Sequence, residues 1–149
     1  MSVQRTLVLC KPDAVQRGLV GRIISRFEDK GFKVAGLKMM QVDEALARTH
    51  YHEHVEKAFF SELLSFITSS PIVAMVIEGE NAVEVVRVLM GVTNPQMAMP
   101  GTIRGDFGLN LTKNIVHGSD SAASAEREIA LFFSPDELHN YRLSIEDWC

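Results

Sequence analysis

The strongest constraint on this chain is the order in which two hydrophobic periodicities alternate along it. Thr6 to Lys11, running into a Pro12-Asp13 turn, and Ile72 to Glu78 are short apolar runs that read as buried strands. Lys33 to Val42 reads as another strand, and Asn114 to His117 as a short last one. Helical stripes lie between them. Val20, Ile23, Ile24 and Phe27 fall at i, i+3, i+4, i+7, as do Phe60, Leu63, Leu64 and Ile67, and Ala82, Val85, Val86 and Leu89. Gly31 ends the first of these helices, Asp43 caps a short one, and Asn81 with Glu84 has the pattern of a capping box. Ala125, Ile129, Phe132 and Phe133 mark a later helix, and Ser134-Pro135-Asp136-Glu137 predicts the start of one more.

The order is then β-α-β-α-α-β-α-loop-β-α-α. Strand, helix, strand, repeated, is the split βαβ arrangement: an α+β, ferredoxin-like fold with a four-stranded antiparallel sheet covered by helices. With 149 residues, 46% of them hydrophobic, the chain is expected to form one domain over residues 1–149. One stretch breaks the pattern. From Val92 to about Asn114 there is no stripe, and Pro95, Pro100, Gly101, Gly105 and Gly108 interrupt it. A loop this long before the last strand is functional, or conceals a misread element.

Composition excludes several classes. The longest clean apolar run, Ile72 to Ile77, is far below the roughly 20 residues of a membrane helix. The polar start, Met1 to Thr6, does not resemble a secretory signal, so a cytoplasmic protein with no membrane association is expected. Cys10 and Cys149 make no disulfide or zinc framework. Asn110-Leu111-Thr112 is read as a chance glycosylation sequon. The net charge of −4 argues against dedicated nucleic-acid binding, so an anionic ligand must be met by cations gathered in one place.

No Walker loop and no G-x-G-x-x-G is present, and Asp106-Phe107-Gly108, though spelt like the magnesium motif of protein kinases, has no H-R-D loop beside it. The informative segment is Asn114-Ile115-Val116-His117-Gly118-Ser119-Asp120-Ser121. A histidine at a strand end, followed by small residues that open a helix, sits where anions collect. A neutral imidazole there can attack phosphorus, and Glu128 can orient it directly or through Ser119. His117 is equally readable as one of five ordinary histidines. Lys11, Arg87 and Arg104 can surround a polyphosphate if the long loop folds back, although each alone reads as a solvated charge. Phe59 is adjacent to the core residue Phe60 and cannot face the same way, which leaves it to stack a base or pack at a helix turn. Tyr51 is similarly ambiguous.

Taken together, the Asn114 to Ser121 run resembles the N-x-x-H-G-S-D signature of the nucleoside diphosphate kinase family. Lys11-Pro12-Asp13, Thr93-Asn94-Pro95 and Pro100 to Phe107 match in the same order. The resemblance implies transfer of a nucleoside triphosphate's γ-phosphoryl group to a nucleoside diphosphate, by a ping-pong route through phosphorylated His117. It implies a homo-oligomer, a hexamer or alternatively a tetramer. It further implies that His117 attacks through Nδ1, and that Lys11, Tyr51, Arg87, Thr93, Arg104 and Asn114 contact sugar and phosphates. Phe59 and Leu111 would bracket the base, and Ser119 and Glu128 would support the histidine. Mg2+ would arrive on the nucleotide phosphates, with Asp120 reaching it through water. Stacking any base while gripping sugar and phosphate gives broad specificity. Two departures stand out. Many relatives carry a Lys near Val55 and an apolar residue near His54, and many continue beyond Trp148-Cys149 with an aromatic and an acidic residue. The rival readings are a non-catalytic interaction module and a small hydrolase whose phosphoenzyme yields to water.

Overall fold

The computed structural model describes residues 2–149. Four strands are present among them: β1 (Val3–Cys10), β2 (Lys33–Met40), β3 (Ile72–Glu80) and β4 (Val116–Gly118). They form one sheet in the order β2-β3-β1-β4, and every neighbouring pair is antiparallel. This is the ferredoxin-like arrangement. Helices α1 (Pro12–Gln16) and α2 (Val20–Lys30) connect β1 to β2, and α3 (Glu44–His50) and α4 (Phe60–Ile67) lie between β2 and β3. Then α5 (Ala82–Met90) and α6 (Ile103–Phe107) precede β4, and α7 (Ala122–Phe132) follows it.

Both faces of the sheet are covered, which explains why β1 and β3 read as continuous apolar runs rather than alternating ones. Val8, Cys10, Val73, Met75 and Ile77 face one cluster, built with Ile23 and Phe27 of α2 and Val86 and Met90 of α5. Leu7, Leu9, Ile72, Ala74 and Val76 face the other, with Ala47, Phe60, Ile67 and Phe132. Each fully buried Leu, Ile or Phe contributes about 1.5–3 kcal/mol of transfer free energy.

Most local signals hold. Asp43 accepts from the Leu46 N–H at 2.8 Å, and Gly31 ends α2 in the left-handed region at φ 106°. Four expectations change. Pro12-Asp13, read as a turn, opens α1, because proline suits the first helical position. The long loop contains α6, too short to show a stripe and capped by Thr102, which accepts from the Gly105 N–H at 3.0 Å. Asn81 precedes α5 in the left-handed region at φ 52° and does not cap it through its side chain. Ser134 forms its capping box, yet only a single 3-10 turn, Pro135–Glu137, follows. The chain is drawn away because the His139 N–H donates to the Ala35 carbonyl at 2.8 Å and the Tyr141 hydroxyl to the Val34 carbonyl at 2.5 Å. This segment therefore covers part of the outer edge of β2.

Candidate active site

β4 is only three residues long, and it places His117 opposite Leu9 of the central strand. Beyond it the backbone keeps to β1: the Ser119 N–H donates to the Leu7 carbonyl at 3.1 Å. Gly118 lets the strand pass close to α5: a Cβ here would meet the Met90 sulfur, so a larger residue would have to displace that buried side chain. On the other side, Ile115 is fully buried at φ 78°, a strained conformation for a β-branched residue. It is clamped from two sides. Its N–H donates to Asp13 Oδ2 at 3.0 Å, and its carbonyl accepts from the Lys11 N–H at 2.9 Å. The loop after β1 thus fixes the path of the chain into the histidine.

His117 keeps a fifth of its side chain exposed, while Glu128 on α7 is almost covered. His117 Nε2 lies 2.8 Å from Glu128 Oε1, and the Ser119 hydroxyl donates to the same oxygen at 2.8 Å. Burial alone would raise the carboxyl, but the hydrogen bonds and charge of its neighbours hold it at about 2, so it is an acceptor. His117 must then donate from Nε2, which puts the lone pair on Nδ1. Burial, together with the Lys11 and Arg104 charges, lowers the His117 pKa below its ordinary value against the opposing pull of Glu128. The ring is therefore neutral near pH 7, as a nucleophile must be.

A cleft of about 530 Å³ opens over this histidine. It gathers Lys11, Tyr51, Phe59, Arg87, Thr93, Arg104, Leu111, Asn114, Asp120 and Glu128 with His117. Of the residues singled out in the sequence, only Ser119 lies behind the cleft, fully buried under Glu128. Phe59 and Leu111 are both more than half exposed at the cleft, available to a planar ligand. Lys11 is buried, and its ammonium donates to Asn114 Oδ1 at 2.7 Å; Asn114 in turn donates to the Thr93 carbonyl at 3.1 Å. Burial pushes the Lys11 pKa down to about 8, with Arg104 adding to the effect and Asp13 opposing it. Arg104 is lowered to about 10, by burial first and Arg87 second. It is also a structural tie: three of its N–H groups reach the carbonyls of Asn114, Gly91 and Val116 at 3.2, 3.0 and 2.7 Å. An arginine carries five such donors, so two remain for a ligand. Arg87 donates to the Gly118 carbonyl at 3.2 Å.

The cations therefore converge, although the chain is acidic overall. Asp106 stays out of the cleft, paired with Arg26 at 2.7 Å and accepting from the Gly101 N–H, which disposes of the kinase-like spelling. Asn110 of the sequon holds a turn by accepting from the N–H groups of Thr112 and Lys113. Sequence reading missed His50 and Arg127, which also line the cleft. Adjacency to Tyr51 was the one available signal for His50. Its ring stands edge-on to His117 with centroids 4.7 Å apart, and burial pushes its pKa down to about 3. For a divalent ion carried on phosphates, the exposed carboxylate of Asp120 is an oxygen donor of the right hardness at the cleft wall.

Comparison with known proteins agrees with this construction. The family model for nucleoside diphosphate kinase matches residues 4–138. A nucleoside diphosphate kinase of Desulfitobacterium hafniense is 58% identical, with 98% of each chain covered. Among solved structures, a halophilic nucleoside diphosphate kinase from Halobacterium salinarum, in complex with CDP, superposes with a TM-score of 0.97 at 53% identity, covering 99% of this chain and 98% of that one. A Borrelia burgdorferi nucleoside-diphosphate kinase, a transition-state mimic with vanadate and ADP, gives 0.90 at 42% identity, covering 97% and 95%. Matched along nearly its whole length in sequence and in fold, this chain belongs to the nucleoside diphosphate kinase family.

Proposed function

We propose that His117 is the residue on which this phosphotransferase carries the phosphoryl group between a nucleoside triphosphate and a nucleoside diphosphate. The observation that carries the reading is the Ser119–Glu128–His117 chain, with both bonds at 2.8 Å, which leaves Nδ1 as the lone-pair nitrogen in a cleft lined by cations. Nδ1 attacks the γ-phosphorus, the P–O bond to the β-phosphate breaks, and the departing diphosphate carries the electrons away. A second diphosphate reverses the step. Glu128 stabilises the charge that grows on the ring. Lys11, Arg87 and Arg104 balance the phosphate oxygens, with Tyr51, Thr93 and Asn114 as polar contacts to phosphate and sugar. Phe59 and Leu111 hold the base by its faces, so any base is accepted.

Mg2+ is the expected cofactor, bound mainly by the nucleotide's own phosphates with Asp120 at hand, and it supplies further charge neutralisation. The 149 residues act as one catalytic domain. Assembly into a homo-oligomer, a hexamer or alternatively a tetramer, is supported by two apolar surfaces. Val88, Val92, Met97 and Met99 are exposed around the long loop, and Leu37 and Met39 on the edge strand β2. The free thiols of Cys10 and Cys149 fit a cytoplasmic enzyme. The test is mass spectrometry after incubation with ATP and no acceptor. Wild type should carry one acid-labile phosphate on His117 and discharge it to an added diphosphate, while His117→Ala should carry none. Label at another residue in an active His117→Ala would overturn the assignment. Discharge to water alone would favour a hydrolase.

A further inference from the structure

His50 is a buried polar side chain at the cleft wall. It is 5% exposed, and neither Nδ1 nor Nε2 has a hydrogen-bond partner among the described residues. Burying an imidazole without a hydrogen bond is costly, so such a group calls for a ligand or a reason. It stands beside His117 and Glu128, and one donor atom from each of the three lies within 4.8 Å of the others.

We infer that His50, His117 and Glu128 form a binding site for a borderline divalent metal ion, zinc by preference, and that the metal blocks phosphoryl transfer. Two imidazoles and a carboxylate with one open position form a recognised zinc donor set. Magnesium does not suit them, because it demands oxygen ligands in octahedral array. Tetrahedral zinc with bonds of about 2.0–2.1 Å needs donors roughly 3.3 Å apart. The His117–Glu128 pair, at 2.8 Å, must open slightly. The widest separation must close from 4.8 Å by side-chain rotation. His50 loses no hydrogen bond in moving. Lys11, Arg87, Arg104 and Arg127 line the same cleft and repel a dication. The affinity is therefore below that of a structural zinc, and the open position takes an anion such as hydroxide.

The site stands on these three side chains alone; only its inhibitory consequence rests on His117 as nucleophile. Coordination through Nδ1 occupies the attacking lone pair. Coordination through Nε2 removes the hydrogen bond to Glu128 that orients the ring and drains its electron density. Either way the phosphoenzyme forms more slowly.

The test separates binding from activity. Cobalt(II), a zinc surrogate with visible ligand-field absorption, is titrated into the whole protein and then displaced by zinc. Saturable absorption is expected, with the Kd raised about 10–100-fold in His50→Phe and unchanged in His52→Ala, whose residue is exposed. Should His50→Phe fail to fold, Glu128→Gln gives the same reading. Saturating zinc should slow phosphoenzyme formation from Mg-ATP at least about tenfold. A Kd in His50→Phe within threefold of wild type would place the metal elsewhere and overturn the site. Zinc bound with undiminished phosphorylation would overturn the inhibition.

Discussion

The phosphate contact proposed for Lys11 would set ligand binding against folding, and Lys11→Met should expose the conflict. The native state holds this ammonium buried at a pKa of about 8, against an ordinary 10.5, because of burial and the nearby Arg104. Near pH 7 the protonated form therefore costs the fold that gap, at about 1.4 kcal/mol per pH unit, or about 3 kcal/mol. Methionine fills similar space without charge and recovers this. It also takes the donor from Asn114 Oδ1, now 2.7 Å away, leaving a buried acceptor at a cost of about 1–3 kcal/mol. Near pH 7 the variant should thus equal wild type in stability or exceed it by up to about 2 kcal/mol. The sign with pH follows from a lowered base. Between the native and ordinary values the unfolded chain holds a proton that the native state has shed, so wild-type stability rises with pH. The variant's advantage should shrink by about 2–3 kcal/mol from near pH 7 to near pH 10. Transfer moves the other way: losing a charge-assisted contact to phosphate of about 1.5–3 kcal/mol lowers kcat/KM about 10–150-fold. Urea unfolding at the two pH values, with protein concentration fixed, supplies the stabilities, and steady-state kinetics the rates. A variant well below wild type near pH 7, with a gap that does not move with pH, would refute the buried-charge argument.

Glu128→Gln keeps the shape and loses the charge, so phosphoenzyme formation should slow about 10–150-fold in rapid-quench kinetics, and a change under threefold would count against the orienting role. Because the native Glu128 pKa is depressed to about 2, its stabilising contribution is present above the ordinary carboxyl value near 4.5 and fades as pH falls through that value towards 2. Acid unfolding of wild type and Glu128→Gln should converge in that window. Phe59→Ala should raise KM for purine and pyrimidine substrates alike, about 5–150-fold for a lost stack of about 1–3 kcal/mol, and an effect confined to one base class would contradict stacking.

The elements with a strong period are legible in the amino-acid order alone. β1 and β3 show as apolar runs because both their faces are buried, and α2, α4 and α5 as stripes because one face of each is. The site residues are legible mainly through motif order rather than through local physics. The β1–β4 pairing brings Lys11 beside His117, and Arg104 arrives separately on the long loop, tied to the Asn114 and Val116 carbonyls. What escapes is short or tertiary in origin. α6 has five residues, too few for a period, and the segment after Ser134 obeys hydrogen bonds to β2 rather than its own helix-start chemistry. His50 escapes because nothing local distinguishes a histidine at the end of a helix from one facing a nucleophile.

The central place of β1 has a consequence for the order in which the molecule can form. Its partners are β3 and β4, so the strand made first must wait for residues 72–80 on one side and 116–118 on the other. Until the last of these leaves the ribosome, the apolar Leu7–Cys10 backbone lacks a neighbour along one edge. Such an edge is where a nascent chain mispairs. Glu128 follows later still, so the histidine acquires its orienting carboxylate only once α7 has packed back on β1. A chain stalled before β4 would carry an unfinished sheet, and one stalled before α7 an unoriented nucleophile. Pairing between segments this distant in sequence is the kind that slows folding.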